Sequence, residues 1–212
     1  MNALNAWLRR LPTALVWLGA LIPLGHILWL VLGPGQGAGL GVDPVKEIEH
    51  RLGLLALQFL LASLCVTPLR WLGLNLLRFR RALGVMAFFY AVLHLTAWMV
   101  LDMGLRWAEI SADLIRRPYI VVGMLSLLAM LPLALTSNRA SIRALGAKWQ
   151  RLHRLAYAAV LLGAAHFLIL VKAWPAEPVL YMAAAAALLA MRAGFSRWKG
   201  RKRRAANLPS PG

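Results

Sequence analysis

Three histidines within apolar segments are the residues of this sequence best suited to chemistry. His94 lies midway along one apolar stretch, and His153 and His166 lie thirteen residues apart on another. Histidine is costly in hydrocarbon and is rare there without a function. Neutral imidazole is the commonest metal ligand in proteins and a standard axial ligand of haem iron. These positions therefore predict a haem-binding protein of the membrane.

Long apolar segments must position these histidines. Of the 212 residues 61% are apolar, with a mean hydropathy of +0.67, whereas soluble domains average about 45–50% apolar residues. Segments of about 20 apolar residues are long enough to cross a bilayer. Six such segments are predicted, at 12–33, 52–69, 82–101, 119–136, 152–172 and 178–194.

This pattern predicts an all-α, polytopic membrane protein. The six helices form one bundle over 12–194, preceded by a short N-terminus at 1–11 and followed by a basic tail at 195–212. The first segment has no small-residue cleavage site behind it, so it is predicted to remain as a helix and not to act as a signal peptide.

The distribution of charge predicts the orientation. Six spans place both termini and two loops on one side of the membrane. All seven acidic residues lie on the other side. Only six of the 24 basic residues lie there with them: Lys46, Arg51, Arg106, Arg116, Arg117 and Lys172. By the positive-inside rule both termini are cytoplasmic. The net charge of +17 is expected to attract anionic lipid, and no nucleic-acid-binding motif accompanies it.

His94 and His166 lie at matching depths. The third and fifth spans run in the same direction, and each histidine follows a basic border, at Arg81 and at His153, by thirteen residues. At about 1.5 Å per residue, both imidazoles lie roughly 20 Å along their helices. Such a pair can hold one haem nearer the outer face, and Gly163 would let the macrocycle approach the backbone. The alternative is a pair of buried, hydrogen-bonded histidines.

His153 has two interpretations. On a straight helix, thirteen residues leave it about 140° around the axis from His166, so the two do not share a face. It is either the ligand of a second group or an interfacial histidine. At its depth the third span offers Arg80 and Arg81. Together with Arg78, these arginines are explained by topology, or they bind a propionate or a flavin phosphate.

The remaining histidines and the single cysteine are expected to play structural parts. His50 is predicted to be a solvated loop histidine at the outer end of the second span. His26, in the outer half of the first span, is predicted to pack there, with a site near the outer haem as the alternative. Cys65 is the one cysteine, so a disulfide framework within one chain is impossible.

Several segments carry a resemblance to a known family. They are DPVKEIEHRLG (43–53), TPLR (67–70), RRALG (80–84), RRPYIVVGM (116–124), LALTS (133–137) and LGAKWQRLHRLAY (145–157), with LHLTAW around His94 and AAHFLILVK around His166. In their order and spacing they resemble the ferric-reductase-like transmembrane family. Within it they are most similar to the haem-binding membrane subunits of bacterial methionine sulfoxide reductase systems.

The resemblance implies a b-type cytochrome of the bacterial inner membrane with one or two haems, whose ligands are His94, His166 and His153. It also implies FMN. Electrons would pass from a cytoplasmic flavin reductase or the quinone pool to a periplasmic molybdopterin-containing methionine sulfoxide reductase, which repairs oxidised periplasmic proteins. The sulfoxide-reducing site would belong to that partner.

The chain departs from the wider family in two ways. NADPH oxidases and ferric reductases carry two histidines on each of two helices, and one of these four is missing here. They also carry a cytoplasmic FAD/NADPH domain, whereas this sequence ends shortly after its last span. Two other functions stay open: a free-standing ferric or cupric reductase, and a haem-free transporter with a histidine proton relay.

Overall fold

The computed structural model describes residues 2–34, 39–171, 173 and 175–206, and the regular structure within them is helical. The helices are α1 (Asn2–Arg10), α2 (Thr13–Leu32), α3 (Pro44–Trp71), α4 (Arg80–Ala97), α5 (Trp107–Arg116), α6 (Pro118–Leu135), α7 (Arg139–Leu145), α8 (Ala147–Leu152), α9 (Leu155–Leu170) and α10 (Ala176–Ala206). Six segments of the described chain are long and apolar enough to cross a membrane. The predicted all-α, six-span fold is therefore confirmed.

The second span begins earlier than its hydropathy predicts. The Asp43 side chain accepts a hydrogen bond from the Lys46 backbone N–H, and Pro44 occupies the first helical position. An aspartate cap followed by proline is a strong helix start because it satisfies free N–H groups and presets φ. His50 consequently lies within α3. The expectation of a loop histidine is wrong.

The fifth span is interrupted at its beginning. α8 ends at Leu152, His153 and Arg154 form a turn, and α9 begins at Leu155. The angle between His153 and His166 on a single straight helix therefore does not apply. His153 therefore lies at the junction of two helices. Its side chain does not have to point to the same side as residues on any one face of α9.

The core joins two pairs of helices. α3 packs most extensively on α4, and α6 packs most extensively on α9. Leucines of α3 meet small residues of α9 in the main buried cluster, which contains Leu57, Leu60, Leu64, Ala159 and Ala164. On the outside of the bundle large apolar side chains are exposed, such as Ile22 at 70% and Leu180 at 67%. Such a surface suits contact with lipid hydrocarbon.

The two ends of the bundle differ in charge. The end where α3 and α6 begin carries all seven acidic residues of the chain, and we call it the acidic end: Asp43, Glu47, Glu49, Asp102, Glu109, Asp113 and Glu177. The opposite end, where α4 and α9 begin, carries Arg78, Arg80, Arg81, Arg151 and Arg154 among its basic residues, and we call it the basic end.

Candidate functional site

A cavity of about 460 Å³ lies between the helix pairs α3–α4 and α6–α9. Its walls are mostly apolar and include Leu57, Leu60, Leu127 and Met130. His94 enters it from α4 and His166 from α9. Towards the acidic end the lining becomes charged: Lys46, Glu49, Asp102 and Arg117. The cavity is thus an apolar chamber that holds two imidazoles and has a polar end.

The two histidines face each other across this cavity. Their ring centroids are 6.1 Å apart and their planes are inclined by 76°. His94 Nδ1 lies 2.8 Å from the backbone carbonyl of Glu49, and His166 Nδ1 lies 2.6 Å from that of Tyr119. A carbonyl oxygen only accepts, so Nδ1 is the donor in each ring. Each Nε2 therefore keeps its lone pair for a ligand bond.

A glycine lies against each ring. Gly53 and Gly123 follow the two accepting carbonyls by four residues, one turn along α3 and α6. A Cβ at Gly53 would lie 3.1 Å from His94 Nδ1, and a Cβ at Gly123 would lie 2.7 Å from His166 Nδ1. Both histidines are thus positioned in the same way: a backbone carbonyl accepts a hydrogen bond from Nδ1, and a glycine one turn later leaves room for the ring. Glycine is required because the imidazole occupies the space of a side chain.

These glycines were missed in the sequence. The matching spacing in EHRLG (49–53) and YIVVG (119–123) was the available signal, since each segment precedes a histidine-bearing span. Gly163, predicted to admit a macrocycle, lines the cavity but mainly packs α9 on α6. A Cβ there would lie 3.3 Å from Ser126 Oγ, which itself donates to the Ala159 carbonyl at 2.8 Å.

Charged side chains meet at the acidic end of the cavity. Lys46 Nζ lies 2.6 Å from Asp102 Oδ2 and 3.7 Å from Glu49 Oε2, while Glu49 Oε1 is buried without a hydrogen-bond partner in the described structure. Arg117 pairs with Asp113 at 3.2 Å and donates to the Tyr119 hydroxyl at 3.1 Å. This hydrogen bond raises the pKa of Arg117, which stays cationic.

His153 lies apart from the cavity, towards the basic end. Its ring stacks on Trp149 with centroids 3.8 Å apart, and Nδ1 lies 3.2 Å from the Trp149 carbonyl. Nε2 is buried and has no hydrogen-bond partner among the described residues. The structure therefore brings together two of the three predicted ligands and leaves the third with a free, buried nitrogen.

The predicted arginines also lie at the basic end and do not line the cavity. Arg80 is half-buried, whereas Arg78 and Arg81 are exposed. His26 is exposed on α2 and does not line the cavity either, so its predicted packing within the bundle is wrong. His50 does line the cavity, and its Nε2 lies 4.0 Å from Glu177 Oε2.

Comparison with known proteins assigns this chain to a family. Residues 50–164 match the family described as ferric reductase like transmembrane component, a segment that includes His94 and His153 and ends just before His166. The chain belongs to this ferric-reductase-like transmembrane family, so the resemblance found in the sequence is confirmed.

Particular relatives narrow the class. The chain is 57% identical over 159 residues to a protein of Brucella ovis named "Protein-methionine-sulfoxide reductase heme-binding subunit MsrQ". A protein of the same name from Brucella canis is equally similar. In both comparisons the aligned region covers 74% of this chain and 72% of the relative.

Proposed function

We propose that this chain is a haem-binding membrane subunit that delivers electrons to a methionine sulfoxide reductase. The observation that carries the proposal is the pair His94 and His166, which face each other across an apolar cavity with both Nδ1 atoms engaged. The name of the MsrQ relatives, which describes a haem-binding reductase subunit, supports the same function. The sulfoxide-reducing site would belong to the partner.

The spacing of the rings fits one metal ion between them. Metal–imidazole bonds of about 2 Å on opposite sides of an ion, with about 1 Å more to each ring centre, separate the centroids by about 6 Å. The observed separation is 6.1 Å. No group of three or more His, Cys, Asp or Glu side chains that could hold a metal ion occurs among the described residues. A metal at this pair would therefore bring further ligands of its own, as haem does.

The cavity suits a flat apolar macrocycle. Its 460 Å³ falls within the range of about 300–1,000 Å³ that is usual for ligand sites. His94 and His166 would be the axial ligands, and Lys46 and Arg117 would hold the propionates at the acidic end. Bound haem would supply one-electron transfer. The Glu49 and Tyr119 carbonyls fix the tautomer and orientation of the two imidazoles.

The free Nε2 of His153 supports a third axial ligand at the basic end. The cation Arg80 lies within electrostatic range of this ring, whereas a bis-histidine site would need a second imidazole there. A second haem and FMN are therefore still predicted from the family resemblance alone. The same holds for the binding of a propionate or flavin phosphate by Arg78, Arg80 and Arg81.

The proposed route runs from the basic end to the acidic end. The donor would be a cytoplasmic flavin reductase or the quinone pool. The acceptor would be a periplasmic molybdopterin-containing methionine sulfoxide reductase that repairs oxidised periplasmic proteins. The charged residues that line the histidine cavity lie at the acidic end, so a haem there would lie on the acceptor's side.

The test is the reoxidation of dithionite-reduced protein in anaerobic solution, followed at the Soret band. We expect slow reoxidation alone and rapid reoxidation after addition of the sulfoxide reductase with methionine sulfoxide. Rapid reoxidation by ferric citrate or a cupric salt, with no response to the partner, would favour a free-standing metal reductase. A purified protein with no Soret band would favour the transporter.

Orientation in the membrane provides a separate prediction. The basic end should face the cytoplasm of a bacterial inner membrane because basic loops are retained inside. A reporter that requires the cytoplasm, fused after Gly212, should be active, and one that requires the periplasm should be silent. The reverse pattern would place the histidine cavity on the cytoplasmic side and contradict delivery of electrons to a periplasmic partner.

A further inference from the structure

Arg192 braces three helices at the basic end of the bundle. From α10 its guanidinium donates to the Tyr157 hydroxyl of α9 and to the Leu64 carbonyl of α3, both at 2.9 Å. That carbonyl needs a donor because Pro68, one turn later in α3, has no N–H. The third guanidinium nitrogen, Arg192 Nε, is buried and has no hydrogen-bond partner among the described residues.

Arg80 brings a second cation to the basic end, within electrostatic range of Arg192. It is half-buried at the start of α4, within electrostatic range of Arg192 and Tyr157. Its guanidinium makes no hydrogen bond or ion pair with any residue that the structure describes. Two neighbouring guanidinium groups, always charged, are thus partly withdrawn from water.

The side chains of the chain do not balance these charges. All seven acidic residues lie at the opposite, acidic end. Besides Arg80, the described titratable groups near Arg192 include the Cys65 thiol and the Tyr157 hydroxyl, and both groups are ordinarily neutral near pH 7. Like charges withdrawn from water without a counter-ion are strongly destabilising. The pair therefore calls for an anion from outside the chain.

We propose that Arg80 and Arg192 form a binding site for the phosphate group of an anionic lipid. Guanidinium groups match the geometry of phosphate oxygens, and basic pockets between membrane helices on the cytoplasmic side bind lipid head groups. A soluble phosphate compound has the same chemistry, but Arg80 lies near the start of one membrane-spanning segment and Arg192 near the end of another, where lipid phosphate is expected. Neither arginine lines the histidine cavity, so this site is separate from the haem proposed between His94 and His166.

The test measures the thermal unfolding midpoint of the full chain in a neutral maltoside detergent. Three probes are titrated: dioleoyl-phosphatidylglycerol, dioleoylglycerol (the same chains without phosphate) and inorganic phosphate. Phosphatidylglycerol should raise the midpoint saturably, and the other two should not. Arg80→Gln and Arg192→Gln should each weaken the apparent affinity about tenfold or more, because each removes charged hydrogen bonds to phosphate.

Arg81→Gln is the matched control, since it removes the same charge from the neighbouring, exposed position and should leave the affinity within about twofold. Arg80→Gln decides the test if Arg192→Gln does not fold, because the Arg80 side chain bonds to no described residue. Equal weakening by Arg81→Gln, or no response to phosphatidylglycerol, would overturn the site. If inorganic phosphate raised the unfolding midpoint saturably, and this effect required both arginines, the occupant of the site would be a soluble phosphate and not a lipid.

Discussion

His94→Ala and His166→Ala are each expected to lose most of the bound haem, or to convert the remainder to a high-spin form, in protein that still inserts into the membrane. Each substitution removes one of the two nitrogens that face the cavity. It leaves in place the helix packing, which depends on other residues. The measurement is the ratio of haem to polypeptide, together with the absorbance and electron paramagnetic resonance spectra of the purified variants.

His26→Ala is the matched control for this experiment. His26 also lies in a membrane-spanning helix, but it is exposed and does not line the cavity, so the spectrum should not change. If both His94→Ala and His166→Ala kept a wild-type low-spin spectrum, the two residues would not be the axial pair and the proposed haem site would be wrong. Loss of the spectrum in only one variant would point to a different second ligand.

Gly123→Ala is expected to perturb the haem spectrum almost as strongly as loss of His166. A Cβ at this position would lie 2.7 Å from His166 Nδ1 and 3.0 Å from Cε1, closer than carbon and nitrogen atoms approach without a bond. The imidazole must move, which breaks the hydrogen bond to the Tyr119 carbonyl. We expect a large fall in the low-spin signal and a shift of reduction potential in any haem that remains.

Gly53→Ala should act in the same direction but less strongly, since its Cβ would lie 3.1 Å from His94 Nδ1. Gly84→Ala is the control: it lies within α4, and a Cβ there would meet nothing within 4 Å. That variant should keep the spectrum and be as stable as the wild type or more stable, by up to about 1 kcal/mol from helix propensity. An unchanged spectrum in Gly123→Ala would show that the glycine does not position His166.

Several features of the site could be predicted from residue order alone. The rise of an α-helix is constant at about 1.5 Å per residue, so equal distances from the basic borders place His94 and His166 at equal depth. Their rings are in fact neighbours, 6.1 Å apart. The separate position of His153 also agrees with its place near the start of its span.

Other features depended on contacts between helices. The sequence alone did not indicate which residues of α3 and α6 lie behind the histidines. Gly163, which was predicted to let a macrocycle approach the backbone, instead packs against Ser126. The predicted angle between His153 and His166 rested on a straight fifth span, whereas a turn separates α8 from α9 at His153. The hydrogen bond from Arg192 to the Leu64 carbonyl, which Pro68 leaves without a helical donor, joins residues 128 positions apart in the sequence.

The sequence by itself determined the six spans, the charge difference between the two ends and the depth of each histidine. These follow from hydropathy, charge and the constant rise of a helix, which are local properties. Only the tertiary structure decided which carbonyls and glycines hold His94 and His166, and which groups Arg192 contacts at the basic end. The rotation of each helix about its axis depends on how side chains of different spans pack together, and no local period specifies that rotation.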